Sequence, residues 1–395
     1  MRPRVAAPRE VSGRSGTPHR NRQTIRFAGW LRRGYRRNRP NSLSKEFTVR
    51  STTGWRVDDA ATPLRRVVLP RRDLRPDDVA VRVDHCGVCY SDLHAIDAHG
   101  GGGSPVLVPG HEFTGVVTEV GRDVVRFTPG DRVAVGNIVD SCGTCAMCTA
   151  GQQNFCREFP TLTYGGVDRH DGSTTLGAYS REYVVRDRFT HPLPDGLDPA
   201  AAAPLLCAGV TVWEPLRALG VGPGSRVAVA GLGGLGHLAV RFAVALGADT
   251  TVVSRSPGKA ADARRLGAHD FLDATDAART AAARDTFDVV IDTISVRHDL
   301  GPYLSLVALD GTLCQIGYLG EVAVRTTDLL IGRKKLGSAG SGGLPATAAM
   351  LDFCARHGIV ADVEVLPSAR VDEALDRLRR NDIRYRFVLD LSDLS

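Results

Sequence analysis

Residues 226–246 read RVAVAGLGGLGHLAVRFAVAL. Arg226–Ala230 is a short apolar run of the buried-strand type, and a helical stretch reaches Leu246. Between them stands Gly231-Leu232-Gly233-Gly234-Leu235-Gly236. Alone, such a glycine pattern is a weak signal. Placed between a strand and a helix it is a dinucleotide fingerprint. The glycines permit a tight turn and let a pyrophosphate approach the helix N-terminus. The alternation continues with Thr250–Val253 (strand), Gly258–Leu266 (helix), Phe287–Asp292 (strand), Leu300–Ala308 (helix) and Gly311–Gly317 (strand). That order predicts βαβ units and a parallel, doubly wound sheet: an α/β coenzyme domain over 206–342.

The second strand of this unit ends in Ser254-Arg255-Ser256, with Lys259 close behind. A site for NAD places Asp or Glu here to hold the ribose 2′-hydroxyl. Hydroxyls and two cations suit a 2′-phosphate instead, which favours NADP(H) over NAD. A solvated basic loop would look the same.

Upstream the character is different. From Val57 to about Val185 short β-rich runs such as Val79–Val83, Gly115–Val120, Arg132–Val135 and Ser180–Val185 are broken by Gly and Pro. They predict a compact β-rich domain with barrel-like sheets over 48–205. Beyond Gly343, the order helix (Ala346–His357), strand (Val363–Leu366), helix (Val371–Arg380), strand (Tyr385–Leu389) is expected to return to that first domain, over 343–395.

The formal charge of +6 is unevenly placed. Residues 1–47 carry 13 Lys+Arg against Glu10 and Glu46, a net of +11, which leaves −5 for residues 48–395. A basic surface for nucleic acid does not survive that subtraction. The Arg-, Pro-, Ser- and Gly-rich start reads as a disordered extension, or a start site assigned upstream of the native one. An organellar transit peptide is the rival reading, and no secretory h-region stands out. No run of eighteen apolar residues suggests a membrane span. A cytoplasmic protein is expected.

Nine cysteines without a secretory signal point to metal before disulfides. Cys142, Cys145, Cys148 and Cys156 form one cluster. Four thiolates close a tetrahedral Zn²⁺ shell and leave no open position, so this site is structural. An iron–sulfur cluster is the rival, but its usual spacings differ. Three other segments carry ligand types: Cys86-Gly87-Val88-Cys89-Tyr90-Ser91-Asp92-Leu93-His94, Gly110-His111-Glu112 and Leu206-Cys207-Ala208-Gly209. Two thiolates and one imidazole would leave a fourth position for a substrate oxygen, where zinc acts as a Lewis acid. Taken singly the pieces are ambiguous: Cys207 could be a small core residue, His111 a structural histidine, and Cys86/Cys89 a redox pair.

The combination of CGVCYSDLH, PGHEFTGVV, SCGTCAMCTAG, PLLCAGVT, GLGGLGHLAV and RYRFVLD resembles the zinc-containing medium-chain alcohol dehydrogenases, in particular the cinnamyl-alcohol-dehydrogenase-like, NADP-dependent branch. The resemblance runs from about residue 48 to the C-terminus. It implies a GroES-like catalytic domain beside the Rossmann domain, two zinc ions per chain and a homodimer. It implies hydride transfer between NADP(H) and a small primary alcohol/aldehyde pair. By resemblance Cys89, His111 and Cys207 hold the catalytic zinc, and Glu112 stands behind it as a ligand that exchanges with water. Ser91 takes the alcohol proton and His94 passes it to solvent. Asp92 orients the ligand histidine, and Arg384 pairs with Asp92 and approaches the cofactor. Thr211, Thr293 and Gly317 are carried to the nicotinamide half. Tyr90 departs from the family, which usually places His or Arg there to face the cofactor phosphates. Trp213 is either a pocket residue or core. A sibling reductase of iminium or enone substrates, or a non-catalytic zinc- and nucleotide-binding protein, are the alternatives; the intact Ser91 and His94 and the open zinc position speak against them.

Overall fold

The computed structural model describes residues 50–100, 106–317 and 320–394; the expectations for the basic segment 1–47 lie outside these described residues. The chain opens with β1 (Arg50–Arg56), β2 (Arg65–Arg71), β3 (Asp78–Val88), α1 (Tyr90–Asp97), β4 (Phe113–Val120) and β5 (Arg132–Val135). Next come β6 (Ile138–Asp140), α2 (Ala146–Thr149), β7 (Thr161–Leu162), β8 (Glu182–Arg186), β9 (Thr190–Pro192) and α3 (Pro199–Ala202). The coenzyme half follows with α4 (Ala208–Ala218), β10 (Arg226–Ala230), α5 (Gly236–Ala245), β11 (Asp249–Ser254), α6 (Ala260–Arg265), β12 (Asp270–Asp273) and α7 (Ala277–Ala282). It continues with β13 (Phe287–Asp292), α8 (Gly301–Leu306), β14 (Val307–Gln315), α9 (Thr326–Leu330) and β15 (Lys335–Ser338). The chain closes with α10 (Leu344–His357), β16 (Val363–Pro367), α11 (Val371–Arg379) and β17 (Arg386–Asp390).

Six parallel strands make the coenzyme sheet, in the order β12-β11-β10-β13-β14-β15. The strand order reverses between β10 and β13, which places a ligand crevice at their C-terminal ends. Both faces are covered. In β10, Val227 and Val229 join a core with α4, α5 and α10, while Ala228 and Ala230 join a second core with α8. Burial on both faces is why β10 reads as an unbroken apolar run and not as an alternation.

The catalytic sheet runs β16-β17-β3-β4-β5-β9, with β8 also paired to β3. Val79, Val81 and Val83 of β3 pack with Phe113, Phe387 and Leu389 in its core. β17 pairs antiparallel to β3, setting Leu389 opposite Cys86 and Phe387 opposite Val88. The closing strands thus buttress the strand that leads into the CGVC segment. α10 packs elsewhere: Met350, Leu351 and Cys354 sit in the core shared with α4 and α5.

Two local expectations shift. The helix expected over Leu300–Ala308 stops at Leu306, because Val307 pairs with Phe287 and begins β14 four residues before Gly311. The helix expected over Gly258–Leu266 divides into a 3₁₀ turn at Pro257–Lys259 and then α6. Trp213 is core, packed on Phe242 and Phe353 at ring distances of 5.4 and 4.8 Å.

Candidate active site

The Cys89–Asp92 segment forms a capping box at the start of α1. The Cys89 sulfur accepts the Ser91 N–H at 3.5 Å, and Asp92 Oδ2 accepts the Cys89 N–H at 2.9 Å. Polar ends of this kind satisfy the orphan amides of a helix N-terminus and favour a thiolate there. Asp92 is fully buried and accepts three further hydrogen-bonding groups: Gly110 N–H at 3.1 Å, the Tyr179 hydroxyl at 3.2 Å and His111 Nδ1 at 3.1 Å. Its carboxylate therefore orients the imidazole and leaves Nε2 for a metal. Gly110 makes this possible. Its φ is +96°, and a Cβ there would lie 2.5 Å from the Tyr179 ring.

His111 Nε2 stands 3.2 Å from Cys207 Sγ, which is 3.9 Å from Cys89 Sγ. The three ligand atoms lie within 4.8 Å of one another. Zn–S bonds of about 2.3 Å in a tetrahedron need an S···S edge of roughly 3.8 Å, so the triangle fits zinc with one position left open. Cys207 caps the start of α4, and the Thr211 N–H bonds its carbonyl at 3.1 Å. Ser91 Oγ is 3.6 Å from Cys89 Sγ, and His94 lies exposed one turn along α1. Tyr164 sets its ring edge-on to His111 at 5.7 Å.

Glu112 is fully buried, and neither carboxylate oxygen has a hydrogen-bond partner among the described residues. Burial pushes its carboxyl up to about 7. The nearest cation is Arg386, with Nη1 3.7 Å from Oε1. An unpartnered buried carboxyl beside a ligand histidine is what a nearby metal ion would satisfy. Gly87 leaves it room, since a Cβ there would meet Glu112 Oε1 at 2.2 Å.

The arginine of the RYRFVLD segment that faces Glu112 is Arg386, and the pairing expected of Arg384 with Asp92 is corrected. Arg384 does not pair with Asp92. It is 62% exposed and pairs with Asp262 at 3.1 Å, and its charge also acts on Lys259. Arg386 is the first residue of β17, buried between Glu112 and the glycine loop, where a Cβ on Gly234 would lie 3.0 Å from its Nε. Two arginines two residues apart could not be told apart from the motif. Only the start of β17 decides which one is carried inward.

The tetracysteine group also closes. Cys142 and Cys148 sulfurs are 3.8 Å apart, and all four lie within 4.8 Å of one another, a set suited to one tetrahedral ion. Backbone amides serve the sulfurs: Cys145 N–H to Cys142 Sγ at 3.4 Å, Cys142 N–H to Cys156 Sγ at 3.5 Å and Arg157 N–H to Cys145 Sγ at 3.5 Å. The last of these brings the Cys145 thiol down to about 6. Cys86, Cys314 and Cys354 are buried thiols outside both groups.

At the dinucleotide loop, Gly231 has φ +89°, and an added Cβ would meet Thr293 Oγ1 at 2.9 Å. Gly236 packs so close that its Cβ would fall 2.1 Å from Gly231 O, and Leu235 is the N-cap of α5. Beside Gly233 an added Cβ meets nothing within 4 Å. Thr293 Oγ1 donates to Ala230 O at 2.9 Å, and Gln315 Nε2 donates to Gly317 O at 2.8 Å. Both segments border the β10/β13 crevice. Ser254 ends β11, Arg255 and Ser256 are exposed beyond it, and Lys259 Nζ donates to Leu232 O at 2.8 Å. Tyr90 is tied to α11, its hydroxyl donating to Leu378 O at 2.9 Å.

Two family models match the chain: the alcohol dehydrogenase GroES-like domain over residues 75–195 and the zinc-binding dehydrogenase over 234–356. The chain belongs to the zinc-containing alcohol dehydrogenases. Within them it is similar to an NADP-dependent alcohol dehydrogenase C of Mycolicibacterium smegmatis, 42% identical over 87% of this chain and 99% of that protein. It is also similar to a probable formaldehyde dehydrogenase of Bacillus subtilis, 44% identical over 86% of this chain and 97% of that one. Among solved structures, a cinnamyl alcohol dehydrogenase of Sorghum bicolor superposes with a TM-score of 0.83 at 43% identity, covering 86% of this chain and 98% of that one.

Proposed function

We propose that this chain is an NADP-dependent alcohol dehydrogenase that works mainly as an aldehyde reductase on a primary alcohol/aldehyde pair. The observation that carries the reading is the open triangle of Cys89, His111 and Cys207, floored by Asp92 and followed by Glu112, which Arg386 links to the glycine loop. When bound, zinc supplies a Lewis acid for the substrate oxygen and NADPH supplies the hydride. The chain's own groups hold the geometry and move the proton. Asp92 keeps His111 in one tautomer with Nε2 facing the metal position. Ser91 Oγ gives its proton to the oxygen of the reduced substrate, and exposed His94 restores it from solvent. Glu112 stands behind the metal position with a carboxyl that Arg386 faces and no group hydrogen-bonds among the described residues.

Arg386 and the N-terminus of α5 hold the pyrophosphate, in the gap that Gly233 leaves free. Ser254, Arg255, Ser256 and Lys259 receive the 2′-phosphate, and Arg384 adds a third cation at that end. Thr211, Thr293 and Gly317 border the nicotinamide. Tyr90, tied to α11, offers no cation to the phosphates, which speeds release of spent cofactor. The working division is a GroES-like body over 48–205, a coenzyme body over 206–342 and a closing segment over 343–395, of which α10 serves the coenzyme core.

A homodimer is the assembly we favour. β15 is an edge strand of the coenzyme sheet, with Leu330 and Ile331 exposed just before it. Nine unpaired thiols suit a reducing compartment such as the cytoplasm. The deciding experiment follows NADPH oxidation across aliphatic, benzylic and cinnamyl aldehydes, with NADH as control. Turnover with at least one aldehyde and a preference for NADPH is expected. Failure of every aldehyde sinks the reading, and equal rates with NADH sink the cofactor assignment.

A further inference from the structure

The chain crosses from β15 to α10 through residues 339–343, and the tetracysteine lobe grips this crossing. Gln153, buried, accepts the Leu344 N–H at Oε1 (3.0 Å) and donates from Nε2 to the carbonyl of Cys148 (3.2 Å). Asn154 Nδ2 donates to Gly340 O at 3.4 Å. Gly343 lies so close to the lobe that a Cβ on it would fall 1.7 Å from Gly151 O. One side chain therefore spans a metal-ligand carbonyl and the crossing.

The crossing in turn reaches Thr211 and Asn137. Ser341 adopts φ +60°, a left-handed conformation uncommon for a residue with a side chain. Two hydrogen bonds hold it there. Its Oγ donates to Asn137 Oδ1 at 2.8 Å, and its N–H donates to Thr211 Oγ1 at 3.0 Å. Asn137 is tied to the zinc side as well, since its carbonyl accepts the N–H of Thr163, the neighbour of Tyr164. Thr211 is one helical turn beyond Cys207. A strained residue persists only where its surroundings over-determine it. Here they come from Asn137 and Thr211, which are distant from Ser341 and from each other in sequence.

We propose that Gln153 is a positioning residue: it clasps the 339–344 crossing so that Ser341 sets Thr211 beside the substrate and nicotinamide. The tetracysteine lobe then contributes to hydride transfer by geometry as well as to stability. The inference rests on the reading of Thr211 given above. Its test uses the full chain with both zinc ions bound, comparing wild type with Gln153→Ala and Gln153→Glu. Glutamate keeps an acceptor for the Leu344 N–H and loses the donor to Cys148.

In Gln153→Ala, hydrogen exchange at the Leu344 and Ser341 amides rises about tenfold and kcat for aldehyde reduction falls about tenfold, since small misplacements in the reacting geometry are costly. The KM for NADPH moves less than about threefold, and zinc stays at two per chain. Gln153→Glu, which sets a buried carboxylate oxygen against the Cys148 carbonyl, stays within about threefold of the alanine variant in both exchange and kcat. Unchanged exchange in the alanine variant overturns the clasp. Raised exchange with unchanged kcat overturns its role in transfer. A zinc loss that accounts for the fall in kcat, or a glutamate variant as good as wild type, overturns the two-ended clasp at Gln153. Were the wild-type chain inactive with NADPH, the proposed function would fail, and exchange would still decide the clasp.

Discussion

Cys142 and Cys156 are 14 residues apart, whereas Cys89 and Cys207 are separated by 118. The first group needs little more than its own lobe, in which backbone amides of the same stretch point at its sulfurs. The second is assembled by a helix cap on α1, a left-handed Gly110, the start of α4 and the register of β17 on β3. The closed site is local and saturated. The open site is built from distant parts and keeps one position free, which is where chemistry can occur. The coupling through Gln153 joins the two, so the local site also serves the distant one.

The largest effect expected from this contrast is at the open triangle. His111→Ala or Cys207→Ala should lower kcat/KM by about 10³-fold or more, because the Lewis acid contributes several kcal/mol. Zinc should fall from two to one per chain with little change in Tm. A zinc-free open site that still reduces aldehyde would break the mechanism.

Next is Cys145→Ser in the closed lobe. Here too zinc should drop to one, but Tm should fall by roughly 10 °C, as loss of a structural metal predicts. Equal Tm losses in the two sites would erase the distinction between them.

Asp92→Asn and Arg255→Asp probe the open site's surroundings. The first removes the carboxylate that orients His111 and should cost about 10–100-fold in zinc affinity or activity. In Arg255→Asp the KM for NADPH should rise about 10–100-fold while that for NADH changes little, from loss of a charge-assisted hydrogen bond. An equal change with both cofactors would refute the 2′-phosphate assignment.

The effect with the least bearing on activity concerns His237, a residue of the long-range scaffold, and is read in stability alone. Its Nδ1 donates to Gly233 O at 3.0 Å, and its Nε2 accepts the Asp362 N–H at 3.3 Å. Burial lowers its imidazole from 6.5 to about 3. The unfolded chain therefore binds a proton that the folded chain refuses between those values. Stability is complete above pH 6.5 and declines as pH falls toward 3, by about 1.4 kcal/mol per pH unit from this group. Thermal scans from pH 7 to 4 check it, and His237→Gln should flatten that part of the slope. A slope unchanged by the substitution would remove His237 from the scaffold.

The ease of reading from sequence follows the same contrast. The glycine loop and the tetracysteine spacing are legible because their residues act within one turn or one short lobe. His111 and Cys207 become legible only by resemblance, since each alone passes for core. Arg384 and Arg386 show the limit: both sit in one motif, but whether a side chain is carried inward depends on where β17 begins. Trp213 shows it again, its position being settled by the rings of Phe242 and Phe353.

The sequence by itself determined the doubly wound sheet, the tetracysteine group and the cationic end of β11, because periodicity and spacing act over short range; the Cys89, His111 and Cys207 group is carried by the family resemblance. Only the tertiary structure decided that Arg386 faces Glu112, that Glu112 is left without a hydrogen bond, and that Gln153 and Ser341 tie the closed lobe to Thr211. Those relations depend on strand register and interhelix packing, which bring together residues that no local pattern connects.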